Sequence, residues 1–258
     1  MEFPVHCETV CARCGDNVDA MQLAMGPASA AMCRTCRLAP PPFVKAVSFG
    51  PYQGRLREAI HALKYDRLHP ASKGLGKMLA EAIAQLAGEA PAEMLVIPIP
   101  LHRTKYAERG FNQARSLAAE ALKVLSKSHP QWRLTLASRT LMRLRATESQ
   151  AGLTPRMRRM NVRGAFTVSD PSAVMLKHVL VVDDILTTGA TARAAARVLQ
   201  KAGAATVWVA TLARARRVSN IDRSVSFEDA EDSGRETGNP SAILEGASRL
   251  SSHDQPSF

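Results

Sequence analysis

The chain has 258 residues, 46% of them apolar, and a net charge of +11. That is enough apolar material for one large α/β domain with a small appendage. No run of about 18 or more apolar residues occurs, and the N-terminus lacks the charged-then-apolar order of a signal peptide. A soluble, cytoplasmic protein that does not insert into membranes is expected. The charge is uneven: residues 218–258 carry eight acidic and three basic side chains, so the remainder holds 31 basic against 15 acidic, a net +16. A body this basic expects anionic partners, either phosphorylated metabolites or nucleic acid.

All five cysteines lie in residues 1–40, which are read as a separate zinc-binding module. Cys11 and Cys14, then Cys33 and Cys36, form two C-x2-C pairs separated by 18 residues, the spacing of a four-thiolate zinc ribbon or knuckle. Each pair can aim two sulfurs at one tetrahedral ion, and Gly15 lets the chain turn back with its amides toward sulfur. Four thiolates leave no open coordination position, so a structural zinc is expected. A disulfide framework is the competing reading, and a reducing cytosol disfavours it. Cys7 and His6 are left over, as incidental side chains or alternative ligands.

After Pro40–Pro41–Pro42 a second domain is expected over 43–217. It opens with a short strand, Lys45–Phe49, and a helix from Arg55 to Tyr65 whose Leu56, Ile60 and Leu63 recur at helical spacing. Lys64 shares a face with Arg57 and His61, where an exposed charge and a ligand contact are equally plausible. A second amphipathic helix spans about 70–87. Met94 to His102 reads as a buried strand that Pro98 and Pro100 stop from pairing further. Its end, followed by Arg103, Lys105 and Arg109–Gly110, suits a pyrophosphate cradle in which amides and guanidinium groups meet several oxygens at once. Asn112 then opens a helix to about Lys127, as an N-cap or as part of that cradle.

Leu134 to Leu144 reads as a strand. The stretch from Arg133 to Arg163 contains eight arginines and one acid, Glu148. Thr154 caps a helix with Pro155 at its first position. Val179–Leu180–Val181–Val182 is a continuous β-branched and aliphatic run, suited to a strand buried on both faces of a parallel sheet. Asp183 and Asp184 stand at its carboxyl end, where open α/β sheets bind ligands. Thr187, Thr188, Gly189, Ala190 and Thr191 lead into a helix from Ala192 to Lys201, whose N-terminal amides suit a phosphate. A last strand covers 205–213. The polar, acidic residues from 218 onward cannot bury enough surface to order themselves.

The segment from Val179 to Thr191 resembles the phosphoribosyl pyrophosphate signature of type I phosphoribosyltransferases. The resemblance implies an α/β fold with a parallel-sheet core flanked by helices and a flexible hood. It also implies that Asp183 and Asp184 hold the ribose hydroxyls, that Thr187–Thr191 hold the 5′-phosphate, and that magnesium binds with the donor. Tyr52-x-Gly54, Leu63–Lys64–Tyr65, Pro98–Ile99–Pro100–Leu101–His102, Arg109–Gly110–Phe111–Asn112–Gln113–Ala114 and Arg145-x4-Gln150-x-Gly152–Leu153, behind a paired-cysteine module, resemble the ComF family over roughly residues 7–213. That likeness implies a phosphoribosyltransferase-like protein linked to DNA uptake in natural competence. Pro100, Leu101, Arg103, Arg109 and Asn112 would then line the pyrophosphate, and Arg145 and Gln150 would act from the hood. Expected partners are phosphoribosyl pyrophosphate, single-stranded DNA or DNA-uptake proteins, and a second copy of the chain. Purine-salvage relatives carry an acid where this chain has Thr187, so proton abstraction from a purine by that residue is not available.

Removing residues 218–258 should leave the melting temperature of the remaining protein within a few degrees of the full chain. A collapse in soluble yield on truncation would contradict this.

Overall fold

A computed structural model describes residues 9–18, 31–65, 69–146 and 154–215. The expected tail, His6, Cys7 and Gln150 lie outside the described residues. The described ones belong to one compact unit, Met1–Arg217. They form α1 (Arg34–Leu38), β1 (Ala46–Pro51), α2 (Gly54–Tyr65), α3 (His69–Ala84), β2 (Glu93–Pro98), α4 (Arg103–Arg109), α5 (Gln113–Ser128), β3 (Arg133–Leu136) and β4 (Leu141–Arg143). These are followed by α6 (Pro155–Asn161), β5 (Phe166–Val168), a 3-10 turn (Pro171–Ala173), β6 (His178–Leu186), α7 (Ala190–Lys201) and β7 (Thr206–Arg214).

Five strands make a wholly parallel sheet in the order β1-β7-β6-β2-β3. The two longest strands, β6 and β7, occupy its middle, and alternation of their side chains fills both faces. Leu180, Val182, Trp208 and Ala210 join one core with Ile60 and Leu63 of α2, Leu79 and Ile83 of α3 and Leu117 of α5. Val179, Val181, Val207 and Val209 join a second core with Ala195 and Leu199 of α7, Phe43 and the four cysteines. This two-sided burial is why the run 179–182 carries no polar interruption. The cysteine segment is therefore packed into the second core, not tethered beside it.

Two expected elements differ. Leu134–Leu144 is not one strand: β3 ends at Leu136 beside β2, the chain turns at 138–140, and β4 pairs antiparallel with β5 in a separate ribbon. The turn delivers Leu141, 1% exposed, into the second core, which an unbroken strand continuing along β2 would not do. The segment 103–109, read as part of a pyrophosphate turn, is the helix α4. His102 caps it, with Nδ1 accepting from the Thr104 amide, and left-handed Gly110 ends it. The cradle at this strand end thus shortens to residues 99–102.

Helices α3 and α5 cross closely enough that a Cβ on Gly76 would overlap Glu120 Cβ. Gly76→Ala should therefore cost about 1–3 kcal/mol as the helices part, read from urea denaturation of the full chain. A variant as stable as the wild type would show that this crossing is not tight.

Candidate active site at the carboxyl end of β6

The acid pair ends the central strand, and the two carboxylates have different surroundings. Asp184 is 5% exposed and forms an ion pair with Lys64 Nζ at 2.7 Å. Burial works to lower the Lys64 ammonium, but the charge and hydrogen bond of Asp184 outweigh it and the group ends above its ordinary value. Gln113 Nε2 stands 3.5 Å from the same carboxylate, while Gln113 Oε1 accepts from Arg109 Nη1 at 2.8 Å. A chain of polar contacts thus runs from α4 through α5 to β6. Asp183 is half-buried, and its Oδ1 accepts from the Asp184 amide at 2.9 Å. Burial, and then the neighbouring Asp184 charge, push the Asp183 carboxyl up to about 8. Lys64 thus neutralises one acid, and the other is left wanting a proton, a cation or hydroxyl donors.

Behind the pair, the chain turns through Thr187, Thr188 and Gly189 into α7. Gly189 takes φ 75° at the N-cap, a left-handed conformation that side chains resist, which lets the chain turn directly into the helix N-terminus. Thr188 Oγ1 accepts from the Ala190 amide at 3.4 Å. Ala190 is buried, and Thr187, Thr188 and Thr191 are half-buried. The 99–102 turn lies alongside, since the Ile99 amide donates to Val182 O at 2.8 Å. Asn112 holds that turn and caps α5 at once: Nδ2 donates to Ile99 O at 3.0 Å and Oδ1 accepts from the Arg115 amide at 3.2 Å. Pro100 and Leu101 therefore stand beside the acids, whereas Arg103 is exposed on α4.

The hood ribbon contributes Arg143, whose guanidinium lies 5.5 Å from the centre of the Phe166 ring. Burial lowers its pKa, opposed by the charge of Asp183, which it faces electrostatically. Arg145 instead donates through Nη2 to Arg163 O at 2.8 Å and Asn161 O at 3.1 Å, closing the carboxyl end of α6. Two residues outside the expected site belong to it. Lys64 follows the fully buried Ile60 by four positions, which puts it on the inward face of α2 and was the available signal. Arg214, at the end of β7, is 7% exposed and donates through Nη1 to Leu186 O at 2.7 Å and to Thr187 O.

The four cysteines meet as the spacing expects. Cys11, Cys14, Cys33 and Cys36 are buried, their sulfurs all within 4.8 Å of one another, and none is in a disulfide. Cys14 and Cys33 sulfurs are 3.7 Å apart, close to the ~3.8 Å edge of a tetrahedron with zinc–sulfur bonds of about 2.3 Å. The donor set therefore fits zinc. Hydrogen bonding among the four sulfurs pulls the Cys11 thiol below its ordinary range and pushes Cys14 and Cys36 above theirs, as groups sharing protons in one tight cluster do.

A model of the phosphoribosyl transferase domain matches residues 113–228, the span holding the acid pair and its loop. The fold and this site define a type I phosphoribosyltransferase domain. The DNA utilization protein YhgH of Shigella flexneri is 33% identical over 184 residues, covering 70% of this chain and 77% of the relative. The Salmonella typhi YhgH protein matches to the same extent. Competence protein F of Haemophilus influenzae is 27% identical over 186 residues, 71% of this chain and 78% of that one. The chain belongs to the ComF family.

Because the folded chain holds the Asp183 proton up to about pH 8 and the unfolded chain releases it near pH 4, the folded state binds more protons between these values. Asp183 thus costs increasing stability as pH rises through that window. Asp183→Asn should melt close to the wild type at about pH 4 and several degrees above it at about pH 9. A difference that stays constant with pH would contradict the assigned environment.

Proposed function

We propose that this protein binds phosphoribosyl pyrophosphate with magnesium at the carboxyl end of β6. It passes the phosphoribosyl group to an acceptor, in a cytoplasmic step serving DNA uptake. The observation that carries the reading is the sequence of features along one chain segment: a central parallel strand, an acid pair of which Asp184 is ion-paired to Lys64, and a Gly189-led turn into α7. The under-neutralised Asp183 suits ribose hydroxyls, and the amides at 187–191 suit the 5′-phosphate. The Leu101 and His102 amides offer backbone donors to the pyrophosphate, and Arg103 beside them offers an exposed guanidinium. Arg143 of the hood adds positive charge on the Asp183 side, and Arg145 holds the hood's own helix; Gln150 is the other hood residue of this reading. Magnesium, when bound with the donor, supplies the charge neutralisation that eases departure of pyrophosphate. The chain's own work is to position the donor, exclude water and meet its charges.

A second reading, binding without transfer, is favoured by Thr187, which offers no carboxylate to take a proton from an acceptor. The protein would then be a sensor of phosphoribosyl pyrophosphate or an accessory that handles single-stranded DNA. Two relatives' names, DNA utilization protein and competence protein, fit both readings.

Calorimetric titration of phosphoribosyl pyrophosphate with magnesium into the wild type and Asp183→Asn/Asp184→Asn separates these readings, with pyrophosphate release followed in parallel. The double variant should bind about tenfold more weakly or worse, a loss of at least about 1.4 kcal/mol. Release that requires an added acceptor supports transfer, and binding without release supports the sensor. Equal binding by both proteins would overturn the assignment of the acids.

A further inference from the structure

Two arginines of the phosphoribosyltransferase domain bracket the 187–191 loop, and both end on the cysteine module. On the strand side, Arg214 Nη1 donates to Leu186 O and Thr187 O, where the loop begins. Its Nη2 forms an ion pair with Asp16 at 3.1 Å, and both side chains are below a tenth exposed. Asp16 follows the ligand Cys14 by two residues, and its backbone carbonyl accepts from the amide of the ligand Cys11 at 2.7 Å. On the helix side, Arg193 stands in the first turn of α7, its amide bonded to Gly189 O at 2.9 Å. Its Nη1 donates to Ala39 O at 3.0 Å and its Nη2 lies 3.9 Å from the Cys36 sulfur.

The consequence follows from peptide planarity. The carbonyls of Leu186 and Thr187 share their peptide planes with the amides of Thr187 and Thr188, which in trans peptides point the opposite way. Fixing those carbonyls on Arg214 fixes the direction of the first two loop amides. A guanidinium at 7% exposure stays there only while a carboxylate answers its charge, and that carboxylate comes from the cysteine module. The sulfur of Cys36, as a metal thiolate, is likewise a better acceptor for Arg193 than a thiol.

We propose that the cysteine module is a positioning element for the phosphate loop. Asp16 acts through Arg214 on the loop's entrance, and Ala39 and Cys36 act through Arg193 on its exit. The metal at Cys11, Cys14, Cys33 and Cys36 thereby sets how well the loop holds a phosphate monoester. The affinity part of this rests on the reading of residues 187–191 as the 5′-phosphate site; the clamp itself does not.

The test uses the full-length, zinc-loaded protein and two readouts: hydrogen exchange of the segment 186–192, and calorimetric binding of ribose 5-phosphate. Asp16→Asn keeps all four cysteines and the shape of the side chain. It should retain the wild-type zinc content, with the loop exchanging about tenfold faster, α5 unchanged, and ribose 5-phosphate bound about tenfold more weakly. Asp16→Glu should recover part of both effects. Loop exchange within about twofold of the wild type at full zinc content would overturn the proposal. Should Asp16→Asn not fold, graded chelation of the wild type takes its place: loop protection must fall before that of β6 and β7, and simultaneous loss refutes the clamp. If the wild type itself binds no ribose 5-phosphate, the phosphate-site reading fails while the exchange result still decides the clamp.

Discussion

Two carboxylates side by side at the end of a buried strand are the constraint around which the rest of this molecule is arranged. Asp184 is buried and Asp183 half-buried, so much of their charge must be met by protein groups. Lys64 meets one of them from α2, supported by the Gln113–Arg109 chain. Arg143 reaches the field of the other from the hood ribbon. Asp183 remains less neutralised than Asp184, and on the proposed function this deficit is what the strand end offers a ligand.

A loop that binds an anion through backbone amides needs those amides aimed before the ligand arrives, because a short turn has few other contacts to hold it. The sheet supplies only one anchor, the end of β6. The others are guanidinium groups whose own charges are satisfied by a segment far away in sequence. On the proposed clamp, the cysteine segment packs into the second core because its Asp16, Ala39 and Cys36 hold those guanidinium groups. The same proposal gives the buried arginine at the end of β7 a role.

Much of this was legible in the residues. The unbroken aliphatic run 179–182, the acid pair and the hydroxyl-rich turn are local features, and local features survive folding. So do the C-x2-C pairs, whose convergence needs only one ion to satisfy. What was not legible depended on partners distant in the chain. Arg214 reads as one more cation at a strand end until Asp16 is seen against it. Lys64 sits on a helix with other charged residues, and only its register with Ile60 hints that it faces inward. The arginines at 103–109 read as a turn after Pro100. Helix formation there depends on His102 and Gly110 acting as caps, signals weaker than the prolines before them. The single strand expected over 134–144 failed for a similar reason, since its apolar residues serve two different surfaces.

The order of strands in the sheet bears on how the protein is made. Of the described strands β7 is the last to leave the ribosome, yet it lies between β1 and β6. Ser48 and Thr211, 163 residues apart, share a hydrogen bond across the β1–β7 seam. Until β7 is synthesised, β1 has no neighbour to pair with and β6 has one exposed edge. Such long-range pairing is slow and leaves open edges during the wait. The half-made chain therefore carries the aliphatic β6 unprotected for the time needed to translate one more helix and strand. Loss of a chaperone that shields nascent sheet edges would be felt here as aggregation during synthesis, even where the finished protein is stable.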